Sequence, residues 1–194
     1  MARQAIEYPG KKIPTPLLRK KAARNAAAER DRKPILFVDV DGVISVFGFP
    51  ADSERLPGPL HWIDGVAHCI PEQAGARLAR LAERFELVWA TGWEERANDH
   101  LPLLLKLPQR ELPVLIFQGR AVFGSSHWKL EAIDEYAGDR PAAWIDDNID
   151  EDCRRWAERR EAPTLLVETD CAVGVTEEHV ERLLRWAEEV TPAA

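Results

Sequence analysis

The 194-residue sequence predicts an α/β fold: a three-layer parallel sheet of about five strands with helices on both faces. Three observations predict it. Short apolar runs alternate with segments whose apolar residues recur every three or four positions, the pattern of strands alternating with helices. The strand-like runs are continuous, so both of their faces are buried, as in a parallel sheet. An apolar share of 45% supplies an ordinary core, and the length fits one α/β domain plus an arm.

The elements follow in order. Ile35–Val38 is the first buried strand, an unbroken apolar run. Ala74, Leu78, Leu81 and Phe85 recur at helical spacing. Glu86 to Thr91, "ELVWAT", reads as the second strand, and Ala97, Leu101 and Leu104 mark the next helix. Val114 to Phe117, "VLIF", predicts a third strand. Leu130, Ile133 and Ala137 give a helix stopped by Gly138. Ala142–Asp146 is the fourth strand, and Ile149, Cys153 and Trp156 share a helix face after it. Thr164–Glu168 is the fifth strand, and Val180, Leu183, Leu184 and Ala187 face inward from a closing helix.

Charge divides the chain. Residues 1–33 hold ten Lys/Arg against three Asp/Glu, a net +7, while residues 34–194 carry −14. The first segment is a basic arm, read as a mobile tail, a helix docked on an acidic face, or a contact to RNA or DNA. Residues 34–194 are expected to form the folded α/β domain, with a short insert at about residues 42–71. The three cysteines are odd in number and widely spaced, with no CxxC, so neither a disulfide framework nor a zinc site is expected. With no apolar run of membrane-spanning length, a reduced cytoplasmic setting is expected. Oligomeric state is not legible.

Ligands of parallel sheets gather beyond the carboxyl ends of the strands, and chemistry-bearing residues collect there. Strand one runs into Asp39 and Asp41, strand two into Thr91 and Gly92, and strand four into Asp146 and Asp147; Lys129 opens the helix before strand four. Adjacent carboxylates repel, and a divalent cation resolves the conflict. Mg²⁺ takes oxygen ligands and is held by one or two carboxylates together with substrate phosphate. Asp39 and Asp41 project to the same side of an extended chain. One can serve as a nucleophile toward phosphorus and the other as a general acid and base. Thr91, Gly92 and Lys129 can hold phosphoryl oxygens. Gly42 lets the chain turn sharply.

"DVDGV", "WATG", Lys129 and "WIDDN" together resemble the four ordered motifs of the haloacid dehalogenase-like (HAD) superfamily, over about residues 34–190. The resemblance implies a Rossmann-like sheet and a Mg²⁺-dependent phosphatase. It implies Asp39 as nucleophile, Asp41 as general acid/base, Thr91 and Lys129 as phosphoryl ligands, and Asp39, the Asp41 carbonyl, Asp146 and Asp147 as the metal shell. "LVWATGWEERAN", "RPAAWIDDN" and "VGVTEEHVERLLRWA" are similar to the small HAD domains of RNA-repair proteins, which implies nucleotide or nucleic-acid phosphates as substrates. Cap domains of the superfamily sit between these motifs. Here the segment from Gly42 to Pro71, with Gly48, Pro50, Pro57, Gly58 and Pro59, suits a hairpin or lid loop, so the site is nearly capless and open.

Blander roles stand beside these. Asp146-Asp147-Asn148 could be a helix N-cap cluster, and Asp150 and Asp152 suit a first helical turn, Asp150 within reach of the metal shell. Lys106 is a distant rival to Lys129. Trp89, Trp144, Trp156 and Trp186 read as core, whereas Trp62, Trp93 and Trp128 could line the mouth of the site. His127 could touch a phosphate, with exposure the simpler reading. The alternative function is a non-catalytic binding module on a HAD scaffold, its arm contacting RNA or a protein. A signalling receiver is disfavoured because here the acidic pair comes last, and a P-loop kinase because GxxxxGK[ST] is missing. A dehalogenase would have less use for Asp41 as a proton donor.

Overall fold

A computed structural model describes residues 33–49, 55–117 and 126–191. Apart from Lys33, the basic arm and every reading made of it lie outside the described residues. The sheet holds four parallel strands: β1 (Ile35–Val38), β4 (Glu86–Trp89), β5 (Ala142–Asp146) and β6 (Thr164–Glu168), in the order β4-β1-β5-β6. Five helices join them: α1 (Ala74–Arg84), α2 (Arg96–Leu104), α3 (Leu130–Ala137), α4 (Glu151–Arg159) and α5 (Glu177–Val190).

The two faces of the sheet explain the unbroken apolar runs. Alternate residues of each strand enter two separate cores. Leu36, Val38, Leu87, Trp89, Ala143 and Ile145 pack with α1, α2 and α5, while Ile35, Phe37, Val88, Ala142 and Trp144 pack with α3 and α4. β1 is central and wholly buried. Each large side chain buried this way contributes about 1.5–3 kcal/mol. Asp150 caps α4 by accepting the Cys153 N–H at 3.0 Å, and Thr176 and His179 form a reciprocal capping box on α5.

The structure corrects the strand count. Val114–Phe117 forms no full strand; a single parallel bridge joins Val114 to Trp89 at the sheet edge. Pro113 takes the Trp89 N–H and Leu115 donates back to Trp89, after which Ile116 turns to solvent. The run is apolar, but it lies outside an edge strand where no further neighbour rewards pairing.

The insert after β1 carries an antiparallel hairpin, β2 (Leu60–Ile63) and β3 (Val66–Cys69). Asp64 and Gly65, both at positive φ (49° and 81°), make its two-residue turn. Asp-Gly is the signal for such a turn. The hairpin is pinned to the body: Val46 donates to the Cys69 carbonyl at 2.8 Å, and the Ser45 hydroxyl meets His68 Nδ1 at 2.9 Å.

Candidate active site

The chain leaves β1 toward β4 on one side, then returns to place β5 on the other. The carboxyl ends of β1 and β5 therefore flank the crevice where such sheets bind ligands. Val38 pairs with Ile145, so the next residues, Asp39 and Asp146, lie side by side. The Asp39 N–H donating to the Ile145 carbonyl at 3.1 Å extends the ladder one step and fixes this register.

Lys129 sits between the two carboxylates, 2.8 Å from Asp39 Oδ2 and 2.6 Å from Asp146 Oδ2. All three side chains are buried. A short 3₁₀ turn, His127–Lys129, delivers the lysine. In a 3₁₀ turn residues i and i+3 share a face, and here Ser126 joins Lys129 on Asp146: its hydroxyl donates to Asp146 Oδ1 at 2.5 Å. The Asn148 N–H donates to the same oxygen at 3.0 Å, and the Val40 N–H holds Asp39 Oδ1 at 2.7 Å. Each carboxylate thus has a fixed rotamer. Asp147 lies beside them, and one carboxylate oxygen from each of Asp39, Asp146 and Asp147 falls within 4.8 Å of the others.

Charge in this cluster is unbalanced. Burial, partly opposed by Lys129 and reinforced by Asp146, pushes the Asp39 carboxyl up to about 7. Burial pulls Lys129 down, but Asp39 and Asp146 overcome it and hold the ammonium above its usual range. Asp147 is also raised, by burial and then by Asp146. Three acids share one lysine. Hard oxygen donors so grouped fit a divalent cation of the Mg²⁺ type.

Gly42 has a reason beyond the turn. Its φ is +73°, and a Cβ there would stand 2.3 Å from Asp147 Cγ. The missing side chain is what lets Asp147 lie over the loop beside Asp39. Thr169, unsuspected from sequence, donates its hydroxyl to the Gly42 carbonyl at 2.9 Å and ties the loop to the end of β6.

The remaining expected residues are placed as follows. Thr91 is buried two residues beyond β4, and its Oγ1 accepts the Trp93 N–H at 3.3 Å. Gly92 is exposed beside the edge of the Trp128 ring. Asp41 is exposed, and its carboxylate accepts the Trp93 indole N–H at 2.9 Å. Lys106 is exposed past α2, and Asp150 caps α4 while pairing with His127 at 3.1 Å. Trp62 is 74% exposed on the hairpin; Trp89, Trp144 and Trp156 are buried, and Trp186 stacks on Phe85 at the core's edge. Sequence reading missed Ser126, Thr169 and the Trp93–Asp41 bond. Asp64-Gly65, by contrast, was a readable hairpin signal.

Residues 35–180 match the family described as the HAD domain in Swiss Army Knife RNA repair proteins. The chain belongs to this family. It is a HAD domain with a phosphatase-like scaffold, in which a hairpin occupies the segment after the first acidic motif. The HAD domain of effector protein Lem4 from Legionella pneumophila is similar in structure, with a TM-score of 0.53 and 14% identity over 82% of this chain and 98% of that one. A hypothetical protein from Xanthomonas campestris matches at a TM-score of 0.45 and 14% identity, over 96% and 95%. The Lem4 likeness is one of fold. No curated protein matches the chain. No helix among the described residues of this HAD domain is long and apolar enough to cross a membrane.

Proposed function

We propose that this HAD domain is a Mg²⁺-dependent phosphohydrolase that works through an aspartyl-phosphate. The observation that carries the reading is the buried Asp39–Lys129–Asp146 cluster, with both aspartates at the carboxyl ends of the two central strands. Such a cluster is costly to bury and contributes little to stability beyond what an apolar replacement would give. Its rigid hydrogen bonding suits a preorganised charged substrate site.

Asp39 attacks phosphorus as the bond to the leaving oxygen breaks, and Asp41 gives that oxygen its proton. A water then attacks the phosphorus of the aspartyl-phosphate and gives its proton to Asp41, releasing inorganic phosphate and restoring the Asp39 carboxylate. Lys129 and Thr91, with the backbone at Gly92, hold the phosphoryl oxygens through both steps. Asp39, Asp146, Asp147 and the Asp41 carbonyl would hold a divalent cation, which offsets phosphoryl charge and orients it toward Asp39.

For substrate we propose the phosphate of a nucleotide or nucleic-acid end. The family's description supports it, as does the short hairpin that follows the first acidic motif among the described residues. The basic arm would add RNA contacts through its ten cations. Three free cysteines, two of them buried, suit a reduced cytoplasmic setting. The test is hydrolysis of an aryl phosphate and of 3′- and 5′-phosphorylated oligonucleotides, with Mg²⁺, with EDTA, and in Asp39→Asn. Turnover that needs both Mg²⁺ and Asp39 supports the reading. Turnover unchanged in Asp39→Asn refutes the mechanism, and none in any condition favours a binding module.

A further inference from the structure

The hairpin side of the site contains a chain of contacts that the proposed reaction has not used. The Ser45 hydroxyl bonds His68 Nδ1 at 2.9 Å. The His68 ring packs edge-on against Trp93, with centroids 4.7 Å apart and planes at 65°. The Trp93 indole N–H donates to Asp41 Oδ2 at 2.9 Å. Trp93 itself is held from behind. Its N–H bonds Thr91 Oγ1, and Glu94 closes a turn onto the Thr91 carbonyl at 3.0 Å. Glu94 has φ of +50°, a conformation that non-glycine residues rarely hold, and its carboxylate accepts the Phe117 N–H at 3.0 Å. The surroundings therefore fix the indole over an exposed aspartate.

We propose that Trp93 is the positioning residue for Asp41, and that the hairpin, through His68, sets its angle. The inference rests on the phosphohydrolase reading and names what makes Asp41 an effective acid within it. An exposed aspartate on a loop samples several rotamers. The indole N–H is a donor only, so it can bond one carboxylate oxygen and never compete for the proton. It occupies Oδ2 and leaves Oδ1 as the oxygen that gives its proton to the leaving group and later takes one from water. A contact from β3 thereby sets the acid/base geometry.

The test uses leaving-group chemistry in the full chain. Protonating the leaving oxygen matters for a poor leaving group, such as an alkyl phosphate, and little for 4-nitrophenyl phosphate. kcat/KM reports the first phosphoryl transfer, before water enters. Asp41→Asn should lower kcat/KM for the alkyl ester by about 10²–10⁴-fold, the usual worth of general acid catalysis, and far less for the nitrophenyl ester. Trp93→Phe keeps the ring against His68 and removes only the N–H. It should show the same selectivity at smaller size, about tenfold against less than threefold, roughly what one misplaced hydrogen bond costs. Equal losses on both esters would mean a merely structural tryptophan and overturn the proposal. An Asp41→Asn variant without selectivity would instead overturn the acid/base reading beneath it. Should Trp93→Phe fold poorly, indole N–H resonances of the seven tryptophans decide the matter in Asp41→Ala. The Trp93 signal shifts if the bond exists, and an unmoved signal refutes it.

Discussion

Replacing Lys129 by methionine isolates the electrostatics of the cluster from its shape, because the two side chains are alike in length. The ammonium lies within 2.8 Å of one buried carboxylate and 2.6 Å of another, with its side chain 4% exposed. Removing one partner of a buried ion pair costs about 3–5 kcal/mol, since the remaining charge stays in a poor solvent. Two effects reduce this here. Asp146 keeps its bonds from Ser126 and Asn148. Asp39, already pushed up to about 7 by burial, can take up a proton and cease to be a charge. The expected loss is therefore about 3 kcal/mol, the low end of that range, and smaller at pH 6 than at pH 8, because losing Lys129 removes a charge that lowers the Asp39 carboxyl and lets it protonate more readily as pH falls. For a chain of this size it lowers Tm by roughly 6–12 °C. Mg²⁺ should restore much of it, because a ligand at a hundred times its Kd adds about 2.7 kcal/mol. The variant should also gain more from Mg²⁺ than the wild type, whose lysine already neutralises one carboxylate. Urea unfolding at pH 6 and pH 8, in EDTA and in Mg²⁺, measures all of this. A loss under about 1 kcal/mol at pH 8 in EDTA, or equal Mg²⁺ gains in both proteins, would refute the argument.

Other outcomes follow from the same geometry. Gly42→Ala places a Cβ 2.3 Å from Asp147 Cγ at a φ of +73°, so it should cost about 1–2 kcal/mol in backbone strain and weaken Mg²⁺ binding by displacing Asp147; calorimetric titration and thermal melts check both. Mg²⁺ binding should itself depend on pH. With the free carboxyl of Asp39 titrating at about 7, the cation displaces a proton below that pH, and affinity should fall about tenfold per unit as pH drops from 7. Titration in buffers of different ionisation enthalpy would reveal the released proton. The same shift has a stability sign. Asp39 titrates higher in the folded chain than its ordinary 3.8, so without Mg²⁺ its contribution to stability declines as pH rises from about 4 to 7. Finally, Cys153 is buried, its thiol pushed up to about 12 by that burial and by Asp150, and Cys69 is buried with its thiol donating to the Gly58 carbonyl; Cys171 is half-buried. One thiol should react with a disulfide reagent in the native protein and three in denaturant.

The framework was legible because it rests on local pattern. Ile35–Val38 and Ala142–Asp146 read as buried strands from continuous apolar residues, and the structure gives them those bounds. Val114–Phe117 shows the limit of that rule. Whether a short apolar run becomes a strand depends on what lies beside it, and here the pairing stops after a single bridge from Val114 to Trp89. Asp39, Asp146 and Lys129 were legible as candidates because each follows or precedes a predicted element end, where parallel sheets present their side chains.

By itself, the sequence determined the order of strands and helices, the acids and lysine at their ends, and a hairpin-sized insert. These depend on periodicity, punctuation and residue type, all of which act over a few positions. Only the tertiary structure decided which of these residues meet. Ser126 reaches Asp146 across 20 positions, Trp93 reaches Asp41 across 52, and Thr169 reaches Gly42 across 127. Such partners are set by strand register and by the path of the chain between strands. A serine, a tryptophan or a threonine in sequence carries no mark of the distant group it will bond.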